Sequence, residues 1–225
     1  MTSRSDDVPQ DEPDATTDSP EPGAAAVKSA PVRKRPKPGE RRVQILQTLA
    51  RMLEQPGAER ITTAALAAQL DVSEAALYRH FASKAQMFEG LIEFIETSLF
   101  TVVNQLLERE ASPALQAQKI VLAVLQFGEK NPGMTRVMVG DALVFEHERL
   151  IARMNQLFDR VESQLRQSLR QAAEAAGSST PTVDAQALAS AITSLVIGRL
   201  QRYARTGFKR PPTEHLDLAL QRLTC

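Results

Sequence analysis

The sequence predicts an all-α protein, and three observations carry that prediction. Apolar residues recur at the 3.6-residue spacing of a helix from about residue 40 onward, whereas no segment shows the sustained alternation of a strand. The periodic segments are bounded by residues that start and stop helices, such as Ser83, Ser112 and Gly177. A length of 225 residues with 43% hydrophobic residues suits one domain, or two small ones, with a real core.

The first 38 residues differ in composition from the rest and hold seven of the thirteen prolines. Residues 1–27 contain seven acidic residues and one basic residue, whereas residues 28–42 contain seven basic and one acidic, so the net charge of zero hides a segregation. We predict a disordered tail over residues 1–38, because so few large apolar residues cannot offset the entropy of ordering. Its basic run is either a solvated linker or a nucleic-acid-binding arm.

The first helix is predicted to begin near residue 40, where the helical period sets in, and to stop at Pro56-Gly57. Pro cannot continue a helix and Gly favours a helix end, so the pair is a strong stop signal. The apolar residues of this segment fall on one face, which we expect to be buried. They are Val43, Leu46, Leu49, Ala50 and Leu53.

Two short helices joined by a tight turn are predicted next. The second helix spans residues 63–70 and begins at Thr62 or Thr63, either of which can serve as its N-cap. The third spans residues 74–81 and begins after Ser73, whose hydroxyl can accept a hydrogen bond from a free amide of the first turn. This order of short helices is the outline of a helix-turn-helix module.

Six more helices are predicted in the remaining sequence. The fourth opens at Ser83, which forms a capping-box pattern with Gln86. The inward residues are predicted to be Met87, Leu91, Phe94, Ile95, Leu99 and Val102 in the fourth helix, and Leu115, Ile120, Leu122 and Leu125 in the fifth. The predicted spans are residues 83–110, 112–131, 134–144, 147–176 and 184–205, with a last helix that begins at Pro211-Pro212-Thr213.

The second and third helices have the residue types that a DNA-binding helix-turn-helix module needs. Ala67, Val72, Leu77 and Phe81 supply the small helix contact, the apolar turn and the apolar underside of the recognition helix. The opposite face is left to meet DNA. We predict that the DNA interface consists of Thr62, Thr63, Ser73, Glu74, Ala75, Tyr78, Arg79, His80 and Lys84.

Each of these side chains has a chemical use at a DNA surface. Small Ala75 lets the helix backbone enter a major groove closely, and Tyr78 and His80 can donate hydrogen bonds to phosphate. Arg79 can reach a phosphate or a guanine edge. Lys84 offers a backbone amide and an ammonium to phosphate. Tyr78 has a second interpretation, in which part of its ring packs against the fourth helix.

The string ITTAALAAQLDVSEAALYRHFASKAQMF resembles the DNA-binding domain of the TetR family of transcriptional regulators. The hallmarks of that family are matched by residues 62–67, 72–81 and 84–87. The resemblance implies a TetR-like all-α fold with three parts. These are the tail over residues 1–38, a helix-turn-helix domain over residues 39–85, and a helical dimerisation and partner-binding domain over residues 86–225.

Strings outside the module, LIEFIETSL, FGEKNPGMTRV and RMNQLFDRVESQLRQ, resemble the nucleoid-occlusion members of that family, with similarity over about residues 40–210. The acidic, Pro-rich front end departs from their pattern, as do Gln126 and Lys130. This resemblance implies a cytoplasmic, nucleoid-associated homodimer that binds palindromic chromosomal sites on double-stranded DNA. While bound there it would contact the tubulin-like division protein FtsZ and disrupt its polymers, so that no septum closes over the nucleoid.

Two further surfaces are predicted on the helical domain. An FtsZ-binding groove is expected where the fourth helix meets the end of the fifth, although Phe94 could equally belong to the core. A two-fold, four-helix dimer interface is expected from the helices over residues 147–176 and 184–205, both of which carry wide apolar stripes. The residues chosen are Phe94, Gln126, Lys130 and Asn131 for FtsZ, with Glu93, Thr97 and Thr101 nearby, and Ala191 and Leu195 for the dimer.

Catalysis has little support in the sequence. There is no Gly-rich phosphate loop, no G-x-S-x-G and no H-E-x-x-H, and His80, His147 and His215 fall on separate predicted elements. We therefore expect no enzyme activity, no cofactor and no metal site. The one cysteine, Cys225, excludes an intramolecular disulfide. No run approaches ~18 consecutive apolar residues, so no membrane partner is expected.

The alternative function is that of a small-molecule-responsive TetR-family repressor. Such a protein needs a ligand cavity in its helical domain, lined by apolar and aromatic side chains with a few convergent polar groups. Aromatic residues make up only 4% of this chain, and it has no Trp. The composition favours the nucleoid-occlusion function but leaves the repressor open, because aliphatic pockets exist.

Overall fold

The computed structural model describes residues 39–55 and 60–224, all within one compact unit. The predicted tail, the Pro56-Gly57 stop and Cys225 lie outside the described residues. Within them every regular element is a helix, as the all-α prediction requires. The helices are α1 Glu40–Leu53, α2 Thr63–Gln69, α3 Glu74–Tyr78, α4 Lys84–Arg109, α5 Pro113–Lys130, α6 Pro132–Met138, α7 Glu148–Ala175, α8 Pro181–Arg205 and α9 Leu216–Thr224, with a 3₁₀ turn at Asp141–Leu143.

Side-chain caps fix where several helices begin. Thr62 accepts a hydrogen bond from the amide of Ala65 at 3.1 Å, and Ser73 does the same for α3. Ser83 starts α4, but the capping box is displaced by one residue, since the Gln86 side chain accepts from the amide of Ala82. These bonds satisfy amides that would otherwise lack a partner at the helix ends, so the starts of α2, α3 and α4 follow from local sequence.

Three predicted boundaries are wrong for local reasons. The third helix ends at Tyr78 rather than at residue 81, because the chain turns there with the His80 amide donating to the Leu77 carbonyl. The segment 134–144 is not one helix, since Gly140 has a φ of 84° and separates α6 from the 3₁₀ turn. The eighth helix begins three residues early, because Pro181 occupies its first turn, where the missing amide costs nothing.

Most of the predicted inward residues of α1, α4 and α5 are buried, but four of them are exposed. Val43, Phe94 and Val102 are about half exposed, and Leu115 is 44% exposed, so none of them belongs to the core as predicted. The buried set combines predicted residues with apolar neighbours that the spacing did not single out. The fully buried residues of these helices include Ile45, Leu49, Phe88, Leu91, Ile92, Ile95, Leu99, Val103, Ile120 and Val124.

The helical body packs directly on the first helix through Gly133 at the start of α6. A Cβ atom at this position would lie 2.0 Å from the Ala50 carbonyl oxygen, so only glycine allows the approach of α6 to α1. The long helix α4 contacts α1 at one end and α5 and α7 farther along. The first helix is therefore held by α6 on one side and by the start of α4 on another.

Two described helices, α4 and α8, are long and apolar enough in composition to cross a membrane. The core helices of globular domains meet the same criterion. In α4 the apolar residues Leu91, Ile95 and Leu99 are fully buried, and α8, which packs along α7, buries Ile192 and Val196. Both helices are therefore components of the packed body in this structure.

Candidate nucleic-acid interface

The helix-turn-helix module, defined here as α1 to α3, the turn that follows and the start of α4 up to residue 85, is built around a tight turn. Asp71 adopts a left-handed conformation with φ 55°, and the amide of Val72 donates to the carbonyl of Ala67 at 3.0 Å. Ala67, Leu77 and Phe81 are at most 3% exposed, and Val72 is half-buried. These four residues have the packing roles that the sequence predicts.

The predicted DNA residues gather on one side of the module. Ala75 is exposed on the first turn of α3, and Tyr78 is 45% exposed at its end, so part of its side chain is free to contact DNA and part is covered. Thr63 and Lys84 are half-buried. The other exposed members of the set are Thr62, Ser73, Glu74, Arg79 and His80.

Two of these residues bond to each other. The Thr63 hydroxyl donates to the carboxylate of Glu74 at 2.6 Å, which ties the first turn of α2 to the first turn of α3. Both side chains therefore fix the angle between the two helices. A negative charge at the first turn of α3 also suits the positive end of the helix dipole.

Arg42 on α1 is a residue of the module that sequence reasoning missed. Its guanidinium donates to the carbonyl oxygen of His80 at 2.8 Å and lies 4.1 Å from the centroid of the Phe81 ring. It thus fixes the turn that carries Arg79 and His80. The only sequence signal was its place in the basic run, which says nothing about a contact 38 residues away.

Lys84, the predicted phosphate ligand, already has a partner. Its ammonium forms an ion pair with the carboxylate of Glu146, which belongs to the segment between the 3₁₀ turn and α7. The Lys84 side chain is 25% exposed and the Glu146 side chain 11%. The backbone amide of Lys84 lies at the start of α4, where helix amides point outward.

The predicted FtsZ residues lie where the middle of α4 faces the end of α5, a place called here the α4–α5 junction. The rings of Phe94 and Phe127 lie 6.5 Å apart, and the Asn131 side chain donates to the carbonyl of Phe127 at 2.8 Å. Gln126 and Lys130 are exposed beside them. The exposed fraction of Phe94, 49%, excludes the interpretation in which it belongs to the core.

The end of α5 is anchored from behind by α8 and by the segment between α8 and α9. The Tyr203 hydroxyl donates to the carbonyl of Glu129 at 3.1 Å, and the Thr213 hydroxyl donates to the Glu129 carboxylate. Burial raises the pKa of the Tyr203 phenol, so this hydroxyl remains a donor at neutral pH. Lys130 and Asn131 are thereby presented on a fixed helix end.

The two predicted dimer helices differ in how much apolar surface they leave free. The apolar stripe of α7 is buried within this chain, from Leu150 through Val161 to Leu169. On α8, by contrast, Ala191 is exposed and Leu195 is half-buried. A Cβ atom at Gly198 would meet no atom within 4 Å. The free apolar face therefore lies mainly on α8.

Comparisons with known proteins agree with this architecture. Residues 45–91 match the family model described as bacterial regulatory proteins, tetR family, and residues 114–225 match the SlmA-like tetracyclin repressor-like, C-terminal domain. The chain is 53% identical to the nucleoid occlusion factor SlmA of Photobacterium profundum over 178 residues, which cover 79% of this chain and 90% of that protein. It is 52% identical to SlmA of Salmonella newport over 178 residues, 79% of this chain and 89% of that protein.

Solved structures of more distant proteins share the fold. The regulator PfmR of Thermus thermophilus has a TM-score of 0.63 at 21% identity, over 80% of this chain and 94% of that one. FadR of Bacillus subtilis, solved in complex with stearoyl-CoA, has a TM-score of 0.64 at 13% identity, over 81% of this chain and 97% of that one. At these identities the similarity concerns the fold alone.

Proposed function

This chain belongs to the TetR family of DNA-binding regulators, and within it to the SlmA nucleoid occlusion factors, and from this premise we propose a specific mechanism. A homodimer binds palindromic sites on the chromosome. While bound, it antagonises FtsZ polymerisation, so that septa do not form over the nucleoid. It acts in the cytoplasm, on the nucleoid. The observation that carries the proposal is the 53% identity to SlmA over 79% of the chain.

The proposed DNA interface is supported by the exposed face of α2 and α3. The recognition helix α3 presents Ala75 and Tyr78, and the turn after it presents Arg79 and His80, which Arg42 holds in place. In a two-fold dimer the two recognition helices enter successive major grooves about 34 Å apart, which is why a palindromic site is expected. The exposed face of α8 supports the two-fold contact.

The proposed FtsZ site is the groove at the α4–α5 junction. Phe94 and Phe127 give it an apolar wall, and Lys130 gives it a positive charge at the end of α5. An acidic, extended C-terminal peptide of FtsZ fits this chemistry, since its apolar side chains would cover the wall and its carboxylates would face the ammonium. The groove and the recognition helix involve different residues, so the two activities should be separable by mutation.

The packing between α5 and α8 favours this function over that of a ligand-responsive repressor. A Cβ atom at Gly128 would lie 2.5 Å from a side-chain carbon of Leu200 and 2.9 Å from the Thr135 hydroxyl. Val124 and Leu125 on the same helix are fully buried. Here α5 and α8 are in direct contact, which leaves no room between them at this position for an acyl chain or another small molecule.

The decisive experiment is sedimentation of FtsZ polymers formed with GTP, in the presence of the purified protein with and without duplex DNA carrying its binding site. We expect the pelleted fraction to fall only when protein and DNA are both present. An unchanged pellet under all conditions would contradict the proposal. A thermal-shift screen of hydrophobic metabolites provides the complementary test, because a large ligand-specific shift would favour the repressor.

A further inference from the structure

Glu146 is the carboxylate that pairs with Lys84, the predicted phosphate ligand, and it comes from a distant part of the chain. It is 62 residues from Lys84 in the chain and belongs to the helical body, whereas Lys84 opens the helix that follows the DNA-binding turn. The Glu146 side chain is only 11% exposed. The pair is therefore a direct electrostatic contact between the helix-turn-helix module and the body.

A phosphate of DNA would compete with Glu146 for the same ammonium. Lys84 keeps a quarter of its side chain exposed, at a helix start whose outward amides also attract phosphate. When the ammonium turns to phosphate, the carboxylate of Glu146 loses its partner in a mostly buried position. A buried charge without a partner is costly, so Glu146 must then move toward water.

A movement of Glu146 would change the surroundings of the short segment that contains it. The segment begins at Gly140, whose φ is 84°, and ends at His147, the N-cap of α7. Between them Leu143 is fully buried, whereas Val144 and Phe145 are 64% and 67% exposed. Glu146 is thus a polar attachment of a short segment that also carries two exposed apolar side chains.

We propose that Glu146 is a positioning residue, which pairs with Lys84 and competes with DNA phosphate for the Lys84 ammonium. When DNA binds, the ammonium turns to phosphate and the segment from Gly140 to His147 is released. The inference rests on the proposed DNA interface. It makes the position of this segment depend on whether DNA is bound. It also makes Glu146 a determinant of DNA affinity without any contact to DNA.

The first test is a double-mutant cycle on binding to mixed-sequence duplex DNA at low salt. Glu146→Gln should tighten binding on the order of fivefold, because the competing ion pair is gone. The same change should have no effect in a Lys84→Ala background. The double variant removes both groups, so neither is left buried without its partner.

Glu89→Gln is the matched control, since it removes the same charge from a carboxylate that lies near the start of α4 but pairs with Arg149 instead. Equal tightening by both variants would overturn the inference, because the effect would then be general electrostatics. Equal affinities for Glu146→Gln and the parent chain would overturn it as well. A parent chain that fails to bind DNA would contradict the proposed function itself, which distinguishes the two failures.

The second test reports on the segment directly. The chain has no Trp, so Phe145→Trp introduces a single fluorophore next to Glu146 at an exposed position. Saturating duplex DNA should shift its emission, and Glu146→Gln should produce the shift without DNA. Emission that stays the same with and without DNA, under conditions in which binding is demonstrated by anisotropy, would overturn the proposed release.

Discussion

The helix-turn-helix module and the helical body are stabilised in different ways. In the module, α2 and α3 span only seven and five residues, and local bonds fix them: the caps from Thr62 and Ser73 and the bond from Thr63 to Glu74. In the body, α4, α7 and α8 each exceed 24 residues and are stabilised by long buried apolar faces. Short helices are unstable alone, so the module depends on caps and on a few central side chains.

This difference has a functional meaning. A DNA-reading surface must leave its side chains in solvent, so the module cannot bury both sides of its helices. Its stability then rests on the underside, where Leu77 and Phe81 are 1% exposed, and on the attachments to the body through Gly133 and Lys84. The body can bury more and therefore offers fixed surfaces, such as the end of α5, for other partners.

The largest effect is expected from Phe81→Ala, which removes the central side chain under the recognition helix. Loss of a buried Phe costs about 3–5 kcal/mol of unfolding free energy, and Arg42 loses the ring that it covers. DNA binding should disappear while the helical signal of the body is largely retained in circular dichroism. Phe145→Ala, at a 67% exposed position, is the control and should change stability by less than about 0.5 kcal/mol.

The distinction between module and body would be wrong if Phe81→Ala removed the helical signal of the whole chain in one transition. The module and the body would then be one cooperative unit, despite the different ways in which they are stabilised. Urea unfolding followed both by circular dichroism and by DNA anisotropy distinguishes these outcomes, because two separate midpoints would indicate two units.

Much of the module could be predicted from the sequence, because its determinants are local. The caps Thr62, Ser73 and Ser83 act on amides three residues away, and the predicted starts of α2 to α4 are confirmed. The buried faces of α1 and α4 were predicted less well. Val43 and Phe94 are exposed because the neighbouring helices leave part of each apolar stripe uncovered, and nothing in local spacing records how far that cover extends.

The ion pair of Lys84 and the bond from Arg42 could not have been predicted at all. They join residues 62 and 38 positions apart, so the first depends on how the body is placed against the module, and the second on how α1 packs against the turn after α3. The residues of both candidate surfaces, for DNA and for FtsZ, were named from the sequence with the help of family resemblance. Their binding roles remain predictions.

The next effect in size is expected at the proposed dimer face of the body. Ala191→Glu or Leu195→Glu places a charge on the free face of α8, where a desolvated carboxylate would prevent two-fold packing. Light scattering should show monomers, and binding to the palindromic site should fall on the order of a hundredfold, because one module then binds alone. Ala114→Glu, the same change at an exposed position of α5, should leave the dimer intact. An undiminished dimer in both α8 variants would exclude this face.

A smaller and more selective effect is expected in the groove at the α4–α5 junction. Phe94→Ala and Lys130→Glu should each abolish FtsZ antagonism while DNA affinity is unchanged, since these residues lie on the body and not on α3. Fluorescence anisotropy with a labelled C-terminal FtsZ peptide measures the accompanying loss of peptide affinity. Val102→Ala is the control for Phe94, because it truncates an apolar side chain of α4 with the same 49% exposure.

Unchanged peptide affinity in both groove variants would exclude the groove as the FtsZ site. Loss of DNA binding together with peptide binding would indicate general unfolding instead. The module and the body would then not be separable by these mutations. Lys209→Glu gives the corresponding control for Lys130→Glu, since it reverses the charge of another exposed lysine.

The smallest effect is expected at the boundary of the two regions. Lys84→Ala should weaken binding to all duplex sequences alike and lower the slope of log K against log salt by about one phosphate contact, because an ammonium on phosphate carries no sequence information. Affinities measured at several salt concentrations, on a specific site and on mixed-sequence DNA, give both quantities. An altered sequence preference with an intact slope would mean that Lys84 reads a base edge. An intact slope with uniform weakening would mean that its ammonium stays with Glu146 in the complex, and that the module and the body keep this contact when DNA is bound.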